Sequence, residues 1–344
     1  MDQRSSSQPI ELSFSSPAQL SSYDFRPATE EDKTKRVLYF GSPEFSLPPL
    51  RLLHEQGYKL VGVVTQPDRP VGRKQVLTPT PTKALAEDLG LNVYQWAKLN
   101  EDGVREELEA LKPDLIVTSA YGNLLPKWLL DLPTFGPLNI HPSLLPNWRG
   151  ASPIASSLLA GDRETALSII KMGVGLDDGD IVASCRYPIS DEEDQESLSR
   201  ELAELSAELL LAILPYWYAG ELKLTKQSEA EATYAKKLTR EDGLLDFQHS
   251  ARANFNRVRA LYPWPGAYTY YDGKRYKVYR AHVEDKAHSH KPGEVVRADD
   301  RLLVACSDGL LSLDLIQGPN GKKVAGSDCY HNFAPGNCFG SNQL

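Results

Sequence analysis

The residues best suited to chemistry are a carboxamide and an imidazole two positions apart, Asn139 and His141. They follow an apolar run at residues 135–138, which predicts the end of a buried strand. On an extended strand, side chains two residues apart point to the same face. Asn139 could stabilise a developing oxyanion, and His141 could pass a proton near neutral pH. Since neither is an obvious nucleophile, the pair predicts acyl transfer by direct attack of an amine. A lone histidine would more often serve only in a turn, but the Pro-rich loop that follows favours a site.

A third candidate, Asp177, lies 36 residues beyond His141 and is flanked by Gly175 and Gly179. Glycines on both sides predict a tight turn after the apolar run at 166–172. A carboxylate there could take up the proton of an attacking amine or tune His141. An aspartate-rich surface turn is the alternative. The alternating ligands and later glutamate of an EF-hand are missing, so this is not a calcium site of that kind.

Taken together, these motifs resemble the signature of the folate-dependent formyltransferases: Asn139-Ile-His141, the loop 143–146, Arg149-Gly150 and the turn 175–179. The resemblance implies that Asn139, His141 and Asp177 are catalytic, that 10-formyltetrahydrofolate is the co-substrate, and that no metal takes part. It also implies a folate-lining segment made of Ser143, Leu144, Leu145 and Pro146. A second such segment would contain Tyr121, Gly122 and Leu124, although core packing explains Tyr121 and the leucines equally well.

The alternation of apolar strands and helices over residues 36–219 predicts an α/β domain whose parallel sheet is covered on both faces. Strands are expected at 36–40, 59–64 and 114–120, with an edge strand at 180–189 and a long helix at 197–214. The turn after the first strand has one glycine where a dinucleotide site needs three, which argues against NAD. By resemblance, this is the Rossmann-like, doubly wound, mostly parallel sheet of the formyltransferase fold.

Residues 65–74 are long, polar and basic, with neither helical nor strand periodicity. Such a stretch inside a compact domain predicts a functional loop, with a plain surface connection as the alternative. It resembles the loop that methionyl-tRNA formyltransferases insert to approach the acceptor end of tRNA. By that resemblance Arg73 is the main tRNA contact, with Arg69 and Lys74 beside it, because guanidinium groups suit phosphates and base stacking.

A second domain is predicted over residues 233–327. Asp272-Gly273 between aromatic runs favours a hairpin with a type I′ turn. Further short strands at 293–297, 302–306 and 310–316 suggest a small OB-like β-barrel. Its start, where Lys236 and Lys237 stand, and Pro263-Trp264-Pro265 resemble the C-terminal domain of methionyl-tRNA formyltransferases. Residues 234–281 hold ten Lys or Arg against four acids, a charge of +6 in a chain of −8. This imbalance indicates a phosphate-bearing partner, with a merely solvated basic face as an equal alternative.

The remaining segments complete the expected organisation: a disordered extension at 1–35, a linker at 220–232 and a tail at 328–344 without a functional interpretation. The extension has eight serines and little apolar periodicity, while its six acids argue against a transit peptide. We therefore expect bacterial-type cytoplasm, with a mitochondrion or plastid as the alternative. The apolar run at 209–219 is too short to span a bilayer, so no membrane partner is expected. The four cysteines fit no zinc or disulfide pattern. Separately, we expect the protein to be a monomer.

The resemblance, together with the basic loop and the basic second domain, implies an enzyme that transfers the formyl group of 10-formyltetrahydrofolate to the amino group of methionyl initiator tRNA. Its partners would be that tRNA and the folate. A sugar-nucleotide N-formyltransferase shares the trio and is the closest alternative. A catalytically silent folate-binding or RNA-binding protein is an alternative of another class.

Overall fold

The computed structural model describes residues 9–72, 74–298, 300–319 and 321–340. The chain forms two compact units, and each is built from several segments. The first unit contains Met1–Pro153, Glu164–Pro188 and Ser199–Ala235. The second contains Ile154–Arg163, Ile189–Leu198 and Lys236–Leu344.

The first unit is organised by one eight-stranded sheet. The strands of this unit, eight of which form the large sheet, are β1 (Leu12–Phe14), β2 (Arg36–Gly41), β3 (Lys59–Thr65), β4 (Arg69–Val71), β5 (Val76–Thr78), β6 (Val93–Gln95), β7 (Leu115–Ser119), β8 (Pro137–His141), β9 (Arg149–Gly150), β10 (Glu164–Lys171), β11 (Ile181–Pro188) and β12 (Tyr234–Ala235). The sheet order is β1-β11-β10-β8-β7-β2-β3-β6, while β4 pairs with β5 and β9 with β12. All neighbours in the large sheet are parallel except β10, which is antiparallel to β8 and β11.

The helices in chain order are α1 (Pro17–Ser22), α2 (Glu30–Thr34), α3 (Leu47–Glu55), α4 (Pro81–Asp88), α5 (Val104–Ala110), α6 (Lys127–Leu130), α7 (Pro153–Ala160), α8 (Gln195–Ala219), α9 (Ala251–Ala260) and α10 (Gly326–Cys329). Short 3₁₀ helices lie at Glu44–Ser46, Glu229–Glu231, Glu241–Gly243 and Tyr330–Asn332. By length and composition, α8 could cross a membrane, but most of its apolar stretch is buried inside the protein. The apolar stripe of this helix, made of Leu198, Leu202, Leu205, Leu209 and Ile213, is buried and belongs to the core.

The mostly parallel sheet of the first unit confirms the predicted α/β fold. Strands β2 and β7 are buried on both faces, and Leu38, Phe40 and Ile116 have no exposed surface. A strand covered on both faces needs apolar residues at every position rather than at alternate ones. This is why the unbroken apolar runs predicted parallel strands correctly.

The prediction that residues 1–35 are disordered is wrong for the described part, which begins at residue 9. Strand β1 pairs in parallel with β11, so β11 is not the edge strand that the sequence predicted. Leu12 and Phe14 are each 3% exposed, and Leu20 is 2% exposed. The sequence hid this order because only three spaced apolar side chains are involved and their partner strand lies about 170 positions away.

The segment 65–74 was expected to lack strands, but it contains β4 and leads into β5. These strands form an antiparallel hairpin, with Arg69 opposite Thr78 and Val71 opposite Val76. Every residue of both strands is exposed. A ribbon with both faces in solvent has no inside and outside, so it leaves no alternation of polar and apolar residues in the sequence.

The predicted linker, residues 220–232, lies within the first unit and is tied to its sheet. Leu222 forms a bridge with Ile10, and Thr225 forms one with Ile181. Both amide hydrogen bonds of the Thr225–Ile181 bridge are present, at 2.8 and 2.9 Å. This segment is therefore an added piece of the first unit, with a fixed position on the sheet.

The second unit contains an antiparallel sheet made of β13 (Ala267–Tyr271), β14 (Lys274–Glu284), β15 (Val295–Ala298), β16 (Arg301–Ala305), β17 (Leu310–Gln317), β18 (Lys323–Ala325) and β19 (Phe339–Gly340). The order is β15-β16-β17-β14-β13-β19, with β18 beside β17. Asp272 and Gly273 both have positive φ, as the predicted type I′ turn requires.

The predicted tail, residues 328–344, supplies the closing strand of this sheet. A bridge joins Glu294, just before β15, to Cys338, just before β19. The amide of Val295 also donates to the Asn337 carbonyl at 2.8 Å. Phe333 and Phe339 are buried in the core that this closure creates. This segment, which had no functional interpretation from the sequence, therefore closes the barrel.

Candidate active site

The three predicted catalytic residues meet at one end of the large sheet. Asn139 and His141 project from β8, and Asp177 lies in the loop between β10 and β11. The Asn139 Nδ2 donates to Asp177 Oδ1 at 3.1 Å. The His141 Nδ1 lies 3.5 Å from Asp177 Oδ2. Sequence spacing alone predicted that Asn139 and His141 share a face, and the loop brings the carboxylate to both.

Thr118, on the neighbouring strand β7, orients the Asn139 carboxamide. Its Oγ1 lies 2.7 Å from Asn139 Oδ1 and 3.3 Å from the sulfur of Met172. When the hydroxyl donates to Oδ1, the amide nitrogen must face Asp177. A carboxamide nitrogen carries two N–H groups, so the contact with Asp177 leaves one for another oxygen acceptor.

His141 is 4% exposed, and both of its ring nitrogens face oxygen atoms. Nε2 lies 3.0 Å from the carbonyl oxygen of Trp148, and Nδ1 faces the Asp177 carboxylate. A carbonyl and a carboxylate only accept hydrogen bonds, so the ring satisfies both when it carries two N–H groups. These two contacts fix the orientation of the ring beside Asp177.

Gly150 supplies a further donor to the Asp177 carboxylate. Its amide nitrogen lies 2.9 Å from Asp177 Oδ2. Gly150 has a φ of 113°, and an added Cβ would lie 2.7 Å from the backbone oxygen of Ala235. Only glycine fits this place, so the glycine of the signature is required by close backbone approach. Asp177 itself has a φ of 51°, a left-handed conformation that aspartate tolerates better than most residues.

Arg149, the other member of the signature pair, points away from solvent and is 1% exposed. Its two terminal nitrogens donate to the Glu229 carboxylate at 3.0 and 2.8 Å, a bidentate pair. These hydrogen bonds raise the pKa of the Arg149 guanidinium and lower the pKa of Glu229. Its Nε donates to Gln227 Oε1 at 3.0 Å. Sequence reasoning missed Gln227 and Glu229 because they lie in the segment taken for a linker.

The predicted folate residues divide into buried and exposed members. Ser143 is fully buried and donates to the Asn147 carbonyl at 2.6 Å, and Leu145 is 5% exposed. Leu144 and Pro146 are partly exposed. Tyr121 is 3% exposed and packs edge-on against Phe40, as the core interpretation of that residue expects, whereas Gly122 is exposed and Leu124 is 67% exposed.

A cavity of about 620 Å³ lies behind this cluster, within the first unit. Met172 lines it and also contacts the Thr118 hydroxyl that orients Asn139. The rest of its wall includes Leu130, Pro137, Lys171, Val174 and Leu222. The seven predicted folate residues do not line this cavity; they follow β7 and β8.

The hairpin of β4 and β5 carries two of the predicted tRNA contacts, Arg69 and Lys74, and both are exposed. Arg73, the expected main contact, lies outside the described residues. The hairpin also exposes three apolar side chains, with Val71 56%, Val76 58% and Leu77 64% exposed. Exposed apolar side chains beside basic residues suit contact with a partner.

The base of this hairpin is held by a polar network. Lys83 Nζ lies 2.7 Å from Asp68 Oδ2, and Gln95 donates to Asp68 Oδ1 at 2.7 Å. The hydrogen bonds from Gln95 and Lys83 lower the pKa of Asp68. Gln95 also donates to the Gln66 carbonyl at 2.8 Å. Asp68 therefore anchors the hairpin to α4 and β6 immediately before Arg69.

In the second unit, the predicted contacts Lys236 and Lys237 are both exposed. Lys236 forms an ion pair with Asp242 at 2.6 Å, which lowers the pKa of that carboxyl. Part of the predicted +6 charge is also used internally, because Arg259 is buried and donates to the Ser190 carbonyl at 2.8 Å. The basic surface is therefore narrower than the residue count suggested.

The sequence did not single out the outer face of the barrel, where aromatic and basic side chains alternate. Cross-strand pairing places Tyr268, Lys277, Gln317 and Lys323 in one row across β13, β14, β17 and β18. We call this the barrel row. The signal was present as Tyr-x-Tyr before the Asp-Gly turn and Arg-x-Lys-x-Tyr after it.

Cation–π contacts connect the barrel row to its neighbours. The Arg275 guanidinium lies 3.7 Å from the ring centre of Tyr268, and Lys323 Nζ lies 3.9 Å from that of Tyr279. Arg275, Lys277 and Lys323 are exposed, so their charges face solvent. Aromatic planes interleaved with cations suit stacking on bases and contact with phosphates.

Comparison with known proteins agrees with this architecture. The formyl transferase family model matches residues 35–214, and the model for the formyl transferase C-terminal domain matches residues 237–334. The chain belongs to the formyl transferase family, which confirms the predicted resemblance. A methionyl-tRNA formyltransferase of Citrifermentans bemidjiense is 43% identical over 85% of this chain and 92% of its own length. One of Listeria monocytogenes is 42% identical over 83% of this chain and 92% of its own length.

Among solved structures, an N-formyltransferase from Helicobacter canadensis in complex with folinic acid and dTDP-3-aminofucose has the same fold. Its TM-score is 0.63 at 14% identity, over 83% of this chain and all of that chain. Within the described residues, no group of three or more His, Cys, Asp or Glu side chains is placed to hold a metal ion.

Proposed function

We propose that this chain transfers a formyl group from 10-formyltetrahydrofolate to the amino group of methionyl initiator tRNA. The observation that carries the proposal is the contact of Asn139 and His141 with Asp177, in a family member over 40% identical to methionyl-tRNA formyltransferases along most of its length. The bacterial source of these relatives supports a bacterial-type setting. The monomeric state stays a prediction, which the mass measured by light scattering would check.

The geometry supports direct attack of the methionine amine on the formyl carbon. Asn139 would give its second N–H to the oxygen that becomes negative in the tetrahedral intermediate. His141 would share its Nε2–H between the Trp148 carbonyl and that oxygen. Asp177 would accept the proton that the amine loses, and the proton would end on the folate nitrogen when its bond to the formyl carbon breaks. Formyl-methionyl-tRNA and tetrahydrofolate are then the products.

The segments expected to hold the folate have the chemistry for it. Leu144, Pro146 and Leu124 present partly or fully exposed apolar surface after β8 and β7. Flat aromatic ligands are held mainly by apolar surface with few polar contacts. The folate supplies the activated formyl group, and these residues would place that group beside Asn139.

Two surfaces support a tRNA acceptor over a small sugar. The hairpin of β4 and β5 offers Arg69, Lys74 and exposed apolar side chains, and the barrel row offers Lys277 and Lys323 beside aromatic rings. A nucleotide sugar needs neither surface, because its phosphates fit within one site. Binding through several phosphates should weaken steeply as salt rises, whereas binding of a sugar nucleotide should change little.

The deciding experiment offers both acceptors side by side. Labelled 10-formyltetrahydrofolate is mixed with the protein and either methionyl initiator tRNA or a 4-amino sugar nucleotide. Label on the tRNA alone is the expected result. Label on the sugar alone would mean that the acceptor is wrong, and label on neither with folate still bound would indicate a silent binding protein.

The role of Asn139 is tested by Asn139→Ala. Removing one oxyanion donor lowers kcat by about 10²–10³-fold, while tRNA affinity should stay near that of the parent chain. Single-turnover formyl transfer at saturating tRNA measures the first quantity, and filter binding measures the second. A variant that keeps full kcat would show that Asn139 is not an oxyanion donor.

The role of the barrel row is tested by Lys277→Glu, with Lys286→Glu as the charge-matched control. Lys286 lies beyond the end of β14 and pairs weakly with Glu284 at 3.7 Å. Lys277→Glu should raise KM for tRNA about 10-fold and reduce the slope of affinity against salt, with kcat unchanged. Equal effects of both reversals would mean that only net charge matters and that the row is no specific surface.

A further inference from the structure

Gln227 is the side chain that connects the candidate catalytic loop to the ion pair between the buried Arg149 and the exposed Glu229. Its amide nitrogen donates to two backbone carbonyls of that loop, Asp177 at 2.8 Å and Gly179 at 2.7 Å. Its amide oxygen accepts from Arg149 Nε at 3.0 Å. All three polar contacts of the carboxamide are therefore used, and two of them hold the loop that carries the candidate carboxylate.

The same carboxamide acts on Asp177 from two directions. Through the Asp177 carbonyl, it holds the left-handed backbone that aims the carboxylate at Asn139 and His141. Its oxygen also holds Arg149, the residue just before Gly150 in β9. The amide of Gly150 in turn donates to the Asp177 carboxylate. A shift of Gln227 would therefore move the carboxylate and one of its donors together.

The segment that carries Gln227 has a firm base. Thr225, two residues earlier, exchanges both amide hydrogen bonds with Ile181 at the start of β11. The amide of Lys223 donates to the Ile10 carbonyl at 2.8 Å. These backbone hydrogen bonds hold the segment in a fixed position against Ile10 and Ile181. Gln227 can therefore anchor the more exposed loop that follows β10.

We propose that Gln227 is a positioning residue for formyl transfer, which sets the distance between the Asp177 carboxylate and the His141 ring. The inference rests on the proposed function only in that Asp177 and His141 act together in moving the amine proton. Gln227 itself touches neither substrate nor reacting atoms. Its effect should therefore fall on kcat and on the pH dependence of kcat, with KM for both substrates unchanged.

The test compares Gln227→Glu with Gln227→Met in the full chain. Glutamate keeps the size of the side chain and its acceptor for Arg149, but it has no N–H for the two carbonyls. Methionine keeps the length and removes every polar contact. A misplacement of about 1 Å at a catalytic group can lower the rate up to about 10²-fold, so kcat should fall about 10–100-fold in both variants.

Asn254→Leu is the matched control. Asn254 is 1% exposed in the second unit and donates from its carboxamide to the carbonyls of Asp246 at 2.9 Å and Ser250 at 3.2 Å. Asn254→Leu removes an amide that bridges two backbone carbonyls, as the Gln227 variants do, but at a place away from Asp177. Its kcat per folded molecule should equal that of the parent chain, even if its thermal midpoint falls.

The readout that separates positioning from mere folding is the pH profile of kcat. If Gln227 sets the contact between Asp177 and His141, the profile of Gln227→Met, which adds no charge, should be displaced along the pH axis. A fall in amplitude without displacement, in proportion to the folded fraction, would overturn the proposal, and so would an unchanged kcat. If the parent chain formylates only a sugar nucleotide, the same comparison is run with that acceptor, so a wrong acceptor does not decide this test.

Discussion

Strand β1 should make a large contribution to the stability of the first unit, although the sequence predicted disorder there. Phe14 is 3% exposed and makes edge contacts with Tyr23 and Phe25 at 5.6 and 5.7 Å between ring centres. Replacing a buried phenylalanine by alanine costs about 3–5 kcal/mol, and a buried leucine such as Leu12 costs about 2–5 kcal/mol. Since a whole domain is stable by about 5–15 kcal/mol, Phe14→Ala should lower the unfolding midpoint markedly.

Urea unfolding followed by tryptophan fluorescence is a suitable assay, because four of the five tryptophans, all but Trp264, lie in the first unit. Ser13→Ala is the control: Ser13 lies on the same strand with its side chain exposed, and its hydroxyl meets Ser184 Oγ at 3.2 Å. Its free energy of unfolding should stay within about 0.5 kcal/mol of that of the parent chain. If Phe14→Ala unfolds at the same urea concentration as Ser13→Ala, β1 does not pack on the sheet in solution and the reasoning fails.

Two further predictions concern one residue in each unit. Gly150→Ala should lower kcat at least about 10-fold, because the new Cβ would displace the amide that donates to Asp177; measured kcat equal to that of the parent chain would contradict this. Burial lowers the pKa of His282, but hydrogen bonds to Asp314 and Glu284 outweigh it and raise the pKa above the ordinary value near 6.5. The folded state therefore gains stability from the protonated ring below about pH 6.5 and loses it as pH rises through the raised pKa. Urea midpoints at about pH 6 and about pH 8 should differ less in His282→Gln than in the parent chain, and equal differences would exclude this role.

Much of the fold could be predicted because its signals are local. A short stretch of sequence is enough to predict burial for the apolar runs of β2, β3 and β7 and for the leucine stripe of α8. The Asp-Gly pair at 272–273 predicted the type of its turn, because these residues readily take the positive φ that a type I′ turn requires and that both have in the structure. Strand β1 and the closing strand β19 could not be found in this way. Their pairing partners lie far along the chain, and β1 contributes only two apolar side chains and β19 only one.

The candidate site shows the same division. Asn139 and His141 could be placed on one face from their spacing, and the glycines around Asp177 predicted the turn that brings it near. Their catalytic roles stay predictions. Gln227 and Glu229 could not be found from the sequence. The Gln227 carboxamide contacts backbone carbonyls, and the Glu229 carboxylate contacts Arg149. Contacts of this kind follow no spacing rule, and residues 220–232 have the polar composition of an ordinary linker.

The pair Arg149-Gly150 shows why a signature can be specific while only half of it faces the chemistry. The two residues form β9, which pairs in parallel with Tyr234–Ala235. Arg149 turns its side chain inward to Glu229 and Gln227, and Gly150 offers its amide to Asp177. A lysine could neutralise Glu229, but its single nitrogen could not reproduce the planar fork and also reach Gln227. The arginine is therefore required by its contacts with Glu229 and Gln227, and the glycine by its contact with Asp177. Because the two residues are adjacent in β9, the contacts of one help to hold the other in position.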